Sequence, residues 1–159
     1  MTLDLTDARV YMAEAIALAR RSVEEGAGGP FGAVVVREGR ILGRGRNRVV
    51  ADCDPTAHAE VLAIRAACAA LGVFHLSGAI LYTSCEPCPM CLAAAQWADL
   101  AGVIYAAEGA DAAALGFADS QIRAILAGHA QGLPRAQVMR EEALEVFRAW
   151  ALSPVRVPY

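Results

Sequence analysis

One arrangement of residues constrains this chain more than any other. His58-Ala59-Glu60 is followed by Pro87-Cys88-Pro89-Met90-Cys91, so that Cys88 stands thirty positions after His58. One imidazole and two thiolates make three ligands for a tetrahedral zinc ion and leave one position open. An open position separates a catalytic zinc from a structural one, because water held there is acidified to a pKa of roughly 7. Both ligand groups fall at expected helix starts, where unpaired amides and the positive end of the helix dipole favour thiolates and developing negative charge. Glu60 stands beside the metal without being needed to hold it, which suits a carrier of protons.

Other readings of the same residues set what the structure must decide. Cys85, Cys88 and Cys91 form a Cys-x-x-Cys-x-x-Cys run, but the fourth iron–sulfur ligand expected four positions on is Ala95. Cys85 could instead close a four-ligand structural zinc site, in a zinc-stabilised interaction module without turnover; Glu60 would then have no task. Cys53 and Cys68 read as small apolar residues. All fourteen basic residues are arginines. Lysine Schiff-base chemistry and the lysine-bearing phosphate loop are therefore excluded. Gly26 to Gly32 reads as a turn, since it follows a helix and lacks the dinucleotide spacing.

A net charge of −3 gives no basic footprint for a phosphate backbone, so nucleic acid is not the expected partner. No apolar run approaches the roughly 20 residues that span a membrane, and the first residues do not read as a secretory signal. The expected location is the cytoplasm, with the five cysteines reduced.

The pattern along the chain is that of one domain, 1–159, in which helices alternate with short strands. Helical spacing runs from Asp7 to Glu25, and Phe31–Val36 with Arg40–Arg46 reads as a hairpin. Asp54-Pro55-Thr56 reads as a helix start, with Gly72 as its end. A buried strand is expected over Ala79–Thr83, a helix from Pro87 and Pro89 to Trp97, and a strand over Gly102–Ala106. A Gly- and Ala-rich connection leads to a helix near Asp119–Leu126, a short run at Ala136–Met139, a helix over Glu141–Ala151 and an extended tail over 153–159.

With these residues placed, the sequence resembles the cytidine deaminase superfamily, and within it the small bacterial guanine deaminases. The resemblance rests on longer strings as well as the metal pattern: Gly29-Pro30-Phe31-Gly32-Ala33, Asp54 to Glu60, Tyr82 to Cys91, and Gly116-Phe117-Ala118-Asp119-Ser120. It implies a three-layer α/β/α sandwich around a mixed five-stranded sheet, one Zn2+ per chain, and a homodimer whose C-terminal tail crosses to the partner. The activity it implies is hydrolytic deamination of guanine to xanthine and ammonia, with Glu60 moving the protons. Related amines (guanosine, ammeline, a cytosine) and tRNA adenosine are the alternative substrates.

The resemblance further implies a base pocket lined by Phe31, Asn47, Ala59 and Asp119, with Trp97 and Tyr159 approaching from the swapped chain. Glu86 would orient the metal site from behind the ligands, and Glu142 would lie near it. From the residue types alone, Phe31 and Trp97 also fit a core, Asn47 a turn, Asp119 a helix cap and Glu142 a solvated helix face.

Overall fold

The computed structural model describes residues 5–158. Four strands form one mixed sheet: β1 (Gly32–Arg37), β2 (Arg40–Arg46), β3 (Ile80–Cys85) and β4 (Gly102–Ala107), in the order β2-β1-β3-β4. β1 runs antiparallel to both β2 and β3, while β3 and β4 are parallel. The fifth expected strand is absent among the described residues. Residues 136–139 form no regular structure and Val138 is 81% exposed; the segment is not paired to either edge strand, β2 or β4, and a lone strand is not stable in water.

Alternation along β1 buries both faces of the sheet. Ala33 and Val35 point to one side, where Ala59, Ala63, Ile64 and Ala67 of α3 (Ala59–Leu71) meet Ala95 of α4 (Pro89–Trp97) and Leu81 of β3. Val34 and Val36 point to the other, against Leu18 of α1 (Ala8–Glu24) and Tyr82. The layers are thus α1, sheet, and α3 with α4.

Alanines on the helices and glycines on the sheet set how near those layers approach. A methyl group added at Gly43 or Gly45 would fall far inside contact distance of the Ala63 or Ala59 carbonyl oxygen respectively. The backbone of α3 therefore lies directly on β2, and its first turn is fixed against the end of that strand. Gly72 ends α3 with a left-handed φ of +67°, as its position in the sequence suggested.

Two short helices escaped the sequence pattern: α2 (Val49–Asp52) and α5 (Gly109–Ala114), the latter in the stretch read as a connection. Helices α6 (Ser120–Leu126) and α7 (Arg140–Leu152) lie close to their expected ranges. No residue of α5, α6 or α7 is buried. Among the described residues, no helix is long and apolar enough to cross a membrane.

Candidate metal centre and cavity

The ends of all four strands meet at one edge of the sheet. β1 begins just after Phe31, β2 ends at Arg46 before Asn47, and β3 and β4 deliver Cys85 and Ala107 side by side. Ligand sites in α/β sheets gather at the carboxyl ends of parallel strands, and β3 and β4 supply that end here. Glu86 N–H continues the pairing by donating to the Ala107 carbonyl (2.8 Å), so the loop carrying the cysteines leaves the sheet in a defined direction.

His58 and Cys88 cap the N-termini of α3 and α4 with extended backbone (ψ 151° and 167°). The helix expected to begin at Asp54 therefore starts later, at Ala59. Asp54 instead accepts from the Thr56 amide (2.8 Å) and hydroxyl (2.7 Å), and the His58 amide donates back to the Thr56 carbonyl (2.7 Å). This tight turn holds the segment out of helix until His58 has been aimed. Pro89 occupies the first helical position of α4, where its missing N–H costs nothing.

The three donor atoms form a nearly equilateral triangle. His58 Nδ1 lies 3.7 Å from Cys88 Sγ and 3.5 Å from Cys91 Sγ, and the two sulfurs are 3.6 Å apart. Tetrahedral zinc with bonds of about 2.3 Å to sulfur and about 2.0–2.1 Å to nitrogen needs edges of about 3.6–3.8 Å, so the donors fit the ion without rearrangement. Among the described residues no fourth His, Cys, Asp or Glu joins the cluster. Cys85 turns its sulfur to the Glu108 carbonyl (3.6 Å) instead, which removes the basis for a closed four-ligand site.

The two sulfurs are tightly coupled. The hydrogen bond from Cys91, aided by His58, pulls the Cys88 thiol down to about 4, while the same bond and burial push Cys91 well above the thiol range. The His58 ring is raised by its bond to Cys88. Glu60, buried in the first turn of α3, has its carboxyl raised by desolvation; the charge of a bound cation acts in the opposite direction.

A cavity of about 260 Å³ opens over this cluster. His58, Glu60, Cys88, Phe31, Asn47, Glu86 and Asp119 all line it. Asn47 is the most firmly held. Its amide N–H donates to the Phe31 carbonyl (2.9 Å), its carbonyl accepts the Ser22 hydroxyl (2.7 Å), and its Oδ1 accepts the amides of Gly29 and Val49 (both 3.2 Å). With Oδ1 taken, Asn47 has its NH2 group to offer a ligand. Glu86 Oε2 accepts from the Gly109 amide (3.0 Å), so it ties the cysteine loop to the start of α5 and makes no described bond to a metal ligand.

The other expected residues lie elsewhere. Ala59 is buried in the core beneath the cavity rather than in its wall. Trp97 is 67% exposed and borders a different cavity, with Val146, Phe147 and Trp150 of α7. Glu142 is exposed on α7, away from the cavity wall. Tyr159 lies outside the described residues. Conversely, the sequence reading passed over Phe117, which meets Phe31 edge to face with ring centroids 5.1 Å apart, and over Val49, Val50 and Pro55, which supply apolar wall. Phe117 had a signal, since it lies two positions before Asp119 in a string that carries the resemblance.

Comparison with known proteins agrees with this geometry. Residues 5–107 match the family model described as cytidine and deoxycytidylate deaminase zinc-binding region. The chain is 51% identical to a guanine deaminase of Bacillus subtilis over 142 residues, covering 88% of this chain and 91% of that one. The X-ray structure of guanine deaminase from Bacillus subtilis superposes with a TM-score of 0.89 at 47% identity, over 95% of this chain and 98% of that one. A tRNA-specific adenosine deaminase of Bacillus subtilis is 42% identical over 65% of this chain and 63% of its own length. The protein therefore belongs to the cytidine and deoxycytidylate deaminase family and is a zinc-dependent hydrolytic deaminase.

Proposed function

We propose that the protein converts guanine to xanthine and ammonia, with His58, Cys88 and Cys91 as the zinc ligands and Glu60 as the catalytic acid and base. The observation that carries the reading is the polarity of the cavity wall. The Asn47 NH2 group is a donor, suited to the carbonyl oxygen of guanine, and the Asp119 carboxylate is an acceptor, suited to its N–H groups. Adenine has no carbonyl to meet Asn47. Phe31 and Phe117 offer apolar ring surface to a flat base. The similarity to guanine deaminases supports the same choice.

When bound, zinc supplies a Lewis acid that makes water a nucleophile near neutral pH. The residues do the rest. Glu60 accepts one proton from the attacking water and passes it to the ring nitrogen beside the reacting carbon. It then takes the second water proton from the hydroxyl added to that carbon and delivers it to the departing amine, so both protons are accounted for. Burial favours its protonated form and so equips it to donate as well as accept. Asn47 and Asp119 fix the base in its plane, so that the amino-bearing carbon, C2 of guanine, faces the cluster.

The cavity volume lies near the lower end for small-molecule sites, which favours a free base over an anticodon loop. The acidic surface charge points the same way. Zinc-loaded protein offered guanine, guanosine, ammeline, cytosine, cytidine and adenine should release ammonia fastest from guanine. A preference for another amine overturns the substrate and leaves the metal chemistry standing.

The working form we infer is a homodimer in the cytoplasm, in which the C-terminal segment, tail 153–159 with Tyr159 included, crosses to the partner, while Trp97 at the end of α4 approaches the neighbouring cavity across the same interface. The support is the unburied α7, with Val146, Phe147 and Trp150 facing Trp97 across a cavity of about 720 Å³ that solvent would otherwise fill. Strand β4 also stands at the open edge of the sheet, where the partner's 136–139 would find a pairing edge.

A further inference from the structure

Arg123, which no motif singled out, stands at the junction between the cavity wall and the cysteine loop. Its Nε donates to both oxygens of Asp119, at 2.9 and 3.0 Å, across one turn of α6. Its Nη2 donates to the carbonyl of Pro87 at 3.1 Å and lies 3.8 Å from Glu86 Oε1. Pro87 immediately precedes the ligand Cys88. Among the described residues, Arg123 makes every side-chain hydrogen bond described for α6, a helix with no buried residue to anchor it.

We propose that Arg123 is a positioning residue for base binding, holding Asp119 in one plane and one place relative to the cysteine loop so that its remaining lone pairs accept N–H groups of the base. This inference rests on the reading of Asp119 as a base-binding residue. The guanidinium is suited to it for a geometric reason: its donors are rigidly spread, so one edge holds the carboxylate while another reaches the Pro87 carbonyl. A carboxylate at the start of a short helix with no fully buried residue would otherwise sample more positions, and each would have to be frozen out when the base binds. Since Arg123 acts through Asp119, it should matter to binding and little to the chemical step.

The test is a double-mutant cycle of Arg123→Gln and Asp119→Asn, made in zinc-loaded Glu60→Gln protein, with guanine affinity measured by calorimetry so that no turnover intervenes. Each single change should weaken guanine binding by about tenfold, and the double variant should bind no worse than Asp119→Asn alone. Arg123→Lys should recover part of the affinity, because an ammonium can pair with Asp119 but cannot bridge to Pro87 as well. In protein that retains Glu60, Arg123→Gln should raise KM with kcat within about twofold, at unchanged zinc content. An unchanged affinity, an equal loss in the Asp119→Asn background, or a loss of zinc that accounts for the effect would overturn the role of Arg123. Ammonia release by the unaltered protein decides the substrate separately: guanine that binds with full coupling between the two residues but is not deaminated sinks the reaction proposed above and leaves Arg123 in place.

Discussion

At the scale of single residues, roles separate according to what each side chain can exchange with the ion and the base. Glu60→Gln keeps the shape of α3 and the three ligand atoms but cannot carry protons. Zinc content should stay at one per chain while kcat falls by about 10²–10⁴-fold, which metal analysis beside an ammonia assay would establish. Cys88→Ser should do the reverse in order of cause, losing the ion first and activity with it, since a hydroxyl at that position is a poor ligand for zinc. Near-normal turnover by Glu60→Gln would remove Glu60 from the mechanism. These residues were legible in the sequence because local spacing carries them: Cys88 and Cys91 lie one helical turn apart, and His58 sits two positions before Glu60. Phe117 and Arg123 were harder to read. Their importance comes from Phe31, Pro87 and Asp119 meeting them in space; Phe117 was marked only by its place in the string around Asp119, and an Arg within a short helix carries no such information by itself.

At the scale of elements, the close contact between β2 and α3 decides whether the site assembles. Gly45 lies under Ala59, the first residue of α3 and the one directly after His58. Gly45→Ala sets a methyl group against the Ala59 carbonyl, which is backbone and cannot swing aside. Overpacking of this kind costs about 1–3 kcal/mol, and here the strain falls on the turn that aims His58. The variant should therefore melt lower and also bind zinc more weakly, measurable by thermal unfolding with and without chelator. A lower melting point with unaltered zinc affinity would mean that α3 shifts as a unit without disturbing its cap. The main strands and helices were legible because both faces of the sheet demand apolar residues in period two and the helices in period 3.6. The start of α3 was misplaced for a physical reason. Asp54-Pro55-Thr56 has the residue types of a helix cap, but the Asp54 carboxylate spends itself on a turn two residues long. Helices α2 and α5 are too short, at 4 and 6 residues, to show a period at all.

At the scale of the whole molecule, the segment after α6 is where a single chain stops accounting for its own sequence. Residues 136–139 join no strand among the described residues, and α7 buries none of its residues although Phe147 and Trp150 are large and apolar. A sequence pattern records the burial of the working assembly, so a segment whose apolar face finds its cover only on another copy reads correctly in composition and wrongly in place. That argument makes a prediction about sites shared between chains. If the tail of one protomer completes the cavity of the other, protein lacking 153–159 should be a poor enzyme although its His58, Cys88, Cys91 and Glu60 are intact. Glu60→Gln protein is inactive for the opposite reason, having the tail but no proton carrier. Mixed in equal amounts and allowed to exchange, the two should regain activity approaching about one quarter of that of the unaltered protein, because only a truncated protomer paired with a Glu60→Gln partner has both parts. Ammonia release before and after exchange measures this, with sedimentation confirming the dimer. Activity that never returns, from a mixture shown to contain mixed dimers, would place the tail on its own chain and return the completion of each cavity to the protomer that owns it.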